Sequence, residues 1–176
     1  MKLIVGLGNI GAKYYSSRHN VGFLIIEQFA ANYSNSIFQM YSRYNAEMAR
    51  VRIGDNDVLL LKPSTYMNLS GTAVAAVKNY FKIDIKDLLV VHDDIDLVPH
   101  HIKVKVGGGN AGHNGLRSIT QCCGNDYKRL RYGIGRPAVD SKINISDYVL
   151  GDLEPEFLLT LKHNTNIIND AINQNI

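Results

Sequence analysis

The sequence predicts one α/β domain, a mixed, largely parallel twisted sheet with helices on both faces. Three observations carry this. Short apolar runs of strand length alternate with stretches of helical period, the pattern of strands and helices packed in layers. Leu88 to His92 is almost continuously apolar, as a central strand buried on both faces must be. The 176 residues, 45% of them apolar, can build one full core, and no linker, internal repeat or low-complexity tract divides them. The domain is therefore expected to span residues 1–176.

Taken in order, Lys2 to Val5 reads as a short buried strand ending in a glycine-rich turn, Gly6 to Gly11. Asn20 is placed to cap a helix from Val21 to Asn32, with Val21, Leu24, Ile25 and Phe29 on one face. Strand patterns follow over Ile37 to Met40, Asn45 to Ile53 and Val58 to Lys62, the last two joined by a turn at Gly54-Asp55-Asn56. Pro63 ends the third, and a helix over Asn68 to Phe81 should bury Leu69, Ala73, Val74, Val77 and Phe81. Beyond the central strand, Ile102 to Val106 alternates apolar and basic residues, so one face is wet. A second glycine-rich loop leads into a helix over Asn114 to Cys123, stopped by Gly124. Leu130 to Ile134 is a strand. A single last helix begins near Pro155, behind Asp152, and buries Phe157, Leu158, Leu161, Ile168 and Ile172.

Composition narrows the class. A net charge of +3 suits a partner bearing phosphates without requiring one. Adjacent cysteines, Cys122 and Cys123, can neither bridge each other comfortably nor complete a zinc site, so reduced thiols and a cytoplasmic location are expected. Met1 runs straight into a strand pattern, no leader is expected, and no apolar run is long enough to cross a bilayer.

Chemistry gathers at a few places. Gly6-Leu7-Gly8-Asn9-Ile10-Gly11 matches the dinucleotide-binding fingerprint in letters, but no helix opens at the turn and Glu27 falls mid-helix. The alternative is a sharp turn at a strand end that projects Asn9 into the crevice, or an ordinary Asx-turn. His19 lies between Arg18 and Asn20 at a helix start, where a cation and the dipole both favour the neutral ring that a general base needs. A surface histidine beside a cap reads the same way. The central strand ends in His92, Asp93, Asp94 and Asp96, which fits an orienting carboxylate or, alternatively, a divalent-metal site. Gly107 to Gly115 contains Asn110, His113 and Asn114 and can present backbone N–H groups to an anion. Lys103, Lys105, Arg117, Arg129, Arg131 and Arg136 surround it, as a phosphate-contacting surface or a solvated basic face.

Several blocks together resemble the bacterial peptidyl-tRNA hydrolase family. They are Ile4 to Asn9, Tyr14 through Arg18-His19-Asn20, Lys62-Pro63-Ser64-Thr65-Tyr66-Met67-Asn68-Leu69-Ser70-Gly71, Val91-His92-Asp93, Gly107 through Leu116, and Arg129 to Pro137. The resemblance covers almost the whole chain in order. It implies hydrolysis of the ester joining a peptide to the 3′-terminal ribose of tRNA. His19 would be the catalytic base and Asp93 the carboxylate that orients it. Asn9, Asn68 and Asn114 would bind substrate and position water, with His113 at the gate of the cleft. Tyr14, Tyr66 and Met67 would also contact substrate, and Lys105 and Arg131 would grip tRNA phosphate. The implied partner is the acceptor stem and CCA end of peptidyl-tRNA, bound by a monomer that uses no metal or cofactor. Ile10 departs from a common proline, Ser17 from threonine, and Asn110-Ala111 from His-Gly, the last within the gating loop. Two competing readings are a nucleotide-binding oxidoreductase, resting on the first glycine turn, and a non-catalytic RNA-binding module, resting on the basic face. A pure binder has no need of a His-Asp pair.

Overall fold

The computed structural model describes residues 1–34 and 36–176. Among the described residues seven strands form one sheet: β1 (Lys2–Gly6), β2 (Gln39–Tyr41), β3 (Ala46–Ile53), β4 (Asn56–Pro63), β5 (Leu88–Asp94), β6 (Ile102–Val106) and β7 (Lys128–Gly133). Their order is β2-β3-β4-β1-β5-β7-β6. The four inner strands run parallel, and β2, β3 and β6 add antiparallel edges. The helices are α1 (Val21–Ala30), α2 (Ser70–Tyr80), α3 (Asn114–Cys123), α4 (Ile145–Leu150), α5 (Pro155–His163) and α6 (Thr165–Asn173). Among the described residues no helix is long and apolar enough to cross a membrane.

Strand alternation sends successive side chains to opposite faces, and both faces are covered. On one, Ile4, Leu60, Leu89, Val91 and Leu130 pack with Ile25 and Phe29 of α1 and with Leu161, Ile168 and Ile172 of α5 and α6. On the other, Leu3, Val5, Leu61, Leu88 and Val90 pack with Val74 and Val77 of α2 and Ile119 of α3. β5 is buried along its whole length, as its composition requires.

Three expectations change. The expected last helix is two, because Asn164 leaves helical geometry (φ −82°, ψ 5°) between α5 and α6. α4 was not foreseen. Leu69 is exposed, not buried, because the chain makes a 3₁₀ turn over Met67–Leu69 before α2 begins.

Candidate active site

The site lies where the parallel inner strands end. Close packing of α1 on β1 sets its geometry. A Cβ on Gly6 would lie 2.4 Å from the Gly22 carbonyl oxygen, and one on Gly22 would lie 2.5 Å from the Leu7 nitrogen. Only glycine at both positions lets the helix start sit directly on the strand end. The 3₁₀ turn Arg18–Asn20 is thereby held beside the end of β5. Leu153 N–H donates to the Ser16 carbonyl and Arg18 N–H to the Gly151 carbonyl, tying that turn to the chain after α4. The Arg18 guanidinium stacks 4.3 Å from the Tyr148 ring centroid.

His19 sits in this turn, 8% exposed, and is not a surface histidine. Its Nδ1 lies 3.0 and 2.9 Å from the two carboxylate oxygens of Asp93. With Nδ1–H donating to the carboxylate, Nε2 is the basic nitrogen of the neutral ring. His113 Nε2 lies 2.9 Å from Asp93 Oδ1, and His113 Nδ1 accepts from Gly115 N–H and Leu116 N–H at the start of α3. Those backbone donors fix the His113 tautomer, so Nε2 carries the proton given to Asp93. One buried carboxylate thus receives two imidazole N–H groups.

The electrostatics follow. Burial alone would raise the Asp93 pKa, but the His19 and His113 rings outweigh it and hold the group well below the usual carboxylate range. Burial pulls His19 down, and the charge and hydrogen bond of Asp93 more than reverse that, leaving its pKa above 6.5. The expectation that Arg18 and the helix dipole dominate, favouring the neutral ring, gives way to this carboxylate. His113 is lowered, because burial outweighs the same carboxylate. His92, buried with Nδ1 2.7 Å from the Asp93 carbonyl oxygen, is pushed down to about 3 by burial and by His113.

Asn9 is no Asx-turn. Its Oδ1 accepts from Met67 N–H at 2.9 Å, across 58 residues of sequence. Its backbone N–H donates to Asn20 Oδ1 and its carbonyl accepts from Asn20 Nδ2, at 2.8 and 2.9 Å. Asn20 therefore buttresses Asn9 and does not cap α1, its expected role. Because the acceptor of the Asn9 amide is committed, its NH₂ is the end available to the cleft.

The cleft holds about 940 Å³. His19, Asp93, Asn9, Tyr66, Met67, Asn68, His113, Asn114, Lys105 and Arg131 all line it. Tyr14 is not brought there. It ends the 3₁₀ turn Ala12–Tyr14, with the Lys13 ammonium 5.5 Å from its ring centroid. The sequence reading missed the apolar wall, formed by Ile95 with Ile145, Val149 and Leu150 of α4. The available signal was the cap of α4, where Asn144 accepts from Asp147 N–H at 2.8 Å.

The glycine turn after β1 leads into the 3₁₀ turn, not a helix, and α1 begins only at Val21. The dinucleotide arrangement is therefore not built. Nor do the three carboxylates at the end of β5 converge. Asp94 pairs with Arg131 at 2.8 Å and Asp96 with Arg136 at 2.6 Å. A different trio, His19, Asp93 and His113, brings its donor atoms within 4.8 Å of one another. Both rings there direct nitrogens at the carboxylate, in hydrogen-bonding geometry. Arg129, read from sequence as part of the phosphate surface, is fully buried, its guanidinium donating to the carbonyls of Gly109 and Gly108.

The sequence matches the model of the family described as peptidyl-tRNA hydrolase over residues 3–176. It is 51% identical over 152 residues to a peptidyl-tRNA hydrolase of Methylobacterium radiotolerans, covering 86% of this chain and 73% of that one. It is 45% identical over 171 residues to the one of Rickettsia prowazekii, covering 97% and 91%. The crystal structure of peptidyl-tRNA hydrolase from Acinetobacter baumannii superposes with a TM-score of 0.85 at 36% identity, covering 97% of this chain and 89% of that one. With a cleft built around one carboxylate and two imidazoles, and relatives matching it nearly end to end, the chain belongs to the peptidyl-tRNA hydrolase family, whose members are carboxylic ester hydrolases.

Proposed function

We propose that the chain cleaves the ester between a peptide and the 3′-terminal ribose of tRNA by attack of a water molecule that His19 Nε2 deprotonates. The contact of His19 Nδ1 with both oxygens of buried Asp93 carries this reading. It fixes the ring orientation and tautomer and stabilises the imidazolium formed when the water proton arrives. The water oxygen adds to the ester carbonyl carbon. The tetrahedral oxyanion collapses by expelling the ribose oxygen, which takes up the proton. An ester has a much better leaving group than an amide, so no covalent enzyme intermediate is needed.

The Asn9 NH₂ is placed to donate to the oxyanion or to the peptide carbonyl, and the exposed amides of Asn68 and Asn114 to hold peptide backbone and water. Neutral amides recognise a peptide without demanding a sequence. Tyr66, Met67 and the wall of Ile95, Val149 and Leu150 offer apolar surface to the peptide and the terminal base. Lys105 and Arg131 face the tRNA acceptor stem, and the Asp94 pair leaves Arg131 as the weaker phosphate contact. The protein is expected to act as a monomer in the cytoplasm, where its substrate is found. The defining experiment is incubation with N-acetyl-aminoacyl-tRNA and measurement of released tRNA. Release of tRNA supports the reading, and an intact ester sinks it.

Two results should accompany that activity. The base must be unprotonated, and Asp93 raises the pKa of His19. kcat/KM should therefore rise with pH through an apparent pKa above 6.5 and be lost as pH falls below it. A pH–rate profile flat from pH 5 to 8 would remove His19 from the role. Asn9→Asp keeps the acceptor for Met67 N–H but removes the NH₂ donor. It should lower kcat by about 10²–10³-fold if that donor meets the oxyanion, whereas a rise in KM alone would place it on the ground-state peptide.

A further inference from the structure

Arg129 is the largest fully buried side chain of the domain. Its guanidinium has no carboxylate among its hydrogen-bond partners. It donates to the carbonyls of Gly109 at 2.8 Å and Gly108 at 3.2 Å, and to the side-chain oxygens of Asn110 at 3.2 Å and Asn125 at 2.6 Å. The Tyr127 ring lies 4.8 Å away. A buried cation without a counter-ion is costly unless dipoles are arranged around it. Three of these four acceptors belong to the glycine-rich loop, so the loop solvates the charge and the charge holds the loop.

A continuous chain of contacts runs from there to the site. The Asn110 carbonyl accepts from His113 N–H at 2.8 Å. The turn between them needs left-handed backbone at Ala111 (φ 47°) and Gly112 (φ 77°). It delivers His113 to Asp93 and Asn114 to the mouth of the cleft. Lys105 lies against the same loop, its Nζ 3.0 Å from where a Cβ on Gly108 would stand.

We propose that Arg129 and Asn110 form a latch that fixes the glycine-rich loop over the cleft, making Arg129 a positioning residue for substrate binding and not a phosphate contact. This rests on the reading that the cleft binds peptidyl-tRNA. The latch also accounts for Asn110, where the resemblance leads one to expect histidine: a short amide oxygen reaches the guanidinium from a turn that already strains Ala111.

The test is amide hydrogen exchange in the free protein at Gly107 and His113, whose N–H groups are bonded to the carbonyls of Tyr127 and Asn110. Asn110→Ala removes a hydrogen bond to a charged group, so exchange at these two amides should accelerate by about 10-fold or more while β5 amides stay protected. Asn110→Asp gives the guanidinium a charged acceptor and should slow exchange below wild type. On N-acetyl-aminoacyl-tRNA, Asn110→Ala should raise KM by a larger factor than it lowers kcat, with the salt dependence of KM unchanged. Arg129→Met should reproduce the fast exchange, again with the wild-type salt slope. Unchanged exchange in Asn110→Ala, or faster exchange in Asn110→Asp, overturns the latch. So does a salt slope flattened by about one unit in Arg129→Met, which marks a lost phosphate contact. Because exchange is read without substrate, failure of the latch and failure of the wild type to cleave the ester are separate results.

Discussion

His19→Ala should lower kcat by about 10²–10⁴-fold, the contribution of a positioned general base. KM for peptidyl-tRNA should change little, because the proposed tRNA contacts, Lys105 and Arg131, lie elsewhere in the cleft. The residual rate should lose the ionisation above pH 6.5, since no other ring can take the role. His113 commits Nδ1 to the start of α3 and gives Nε2–H to Asp93, so neither nitrogen is free to accept a proton. His92 is buried, and burial and His113 push its pKa down to about 3, so it stays neutral but is a very weak base. His19→Gln sharpens the test: its amide can still donate to Asp93 but cannot act as a base at neutral pH, so it should be as inactive as the alanine variant. Single-turnover rates on N-acetyl-aminoacyl-tRNA separate the chemical step from product release. Near-normal single-turnover cleavage in either variant would assign the base to another group.

Much of this architecture was legible in the sequence because the signals were local. β5 is apolar throughout because both its faces are buried, and β1 stops at Gly6 because the chain must turn against α1. The misses are also physical. Phe157, Leu161, Ile168 and Ile172 keep helical spacing through the break at Asn164, so periodicity could not see two helices. α4 is six residues long with only Val149 buried, too little for any periodic signal. Yet it supplies the apolar wall of the cleft.

The site was legible to a different degree. His19 and Asp93 are 74 residues apart, and no spacing rule joins them. Family resemblance nominated the pair, and the packing of Gly6 on Gly22 is what brings their elements together. Basic residues were the hardest to read. Arg129 and Arg131 alternate on one strand and look alike in sequence, but one is enclosed by the glycine loop and the other pairs with Asp94. The neighbours that decide this come from distant parts of the chain. Asn20 was similarly ambiguous: asparagine before a helix suits capping, and only the position of Asn9 diverts its side chain.

Asp93→Asn should be as damaging as loss of the base, although it leaves the side chain's shape unchanged. Asp93 Oδ1 meets both His113 Nε2 and His19 Nδ1, while Oδ2 meets His19 Nδ1 alone. An asparagine has one acceptor for the two incoming N–H groups. Its oxygen is best kept at the shared position, where it satisfies His113, whose tautomer the α3 backbone has fixed. The new NH₂ then faces His19 Nδ1 at hydrogen-bonding distance. Two donors cannot face each other in a buried site without cost, so the His19 proton moves to Nε2 and the ring presents a donor where the water needs an acceptor. In a comparable triad the wrong tautomer reduces turnover by about 10⁴-fold, and a loss of about 10²–10⁴-fold is expected here. The remaining activity carries a second signature. The carboxylate that held the His19 pKa up is gone and burial remains, so the acidic limb of the kcat/KM profile should move to lower pH than in wild type. Asp94→Asn and Asp96→Asn, whose carboxylates pair with Arg131 and Arg136 and not with His19, should leave that limb in place. An acidic limb unchanged in Asp93→Asn, or equal losses across all three variants, would show that Asp93 does not act through His19.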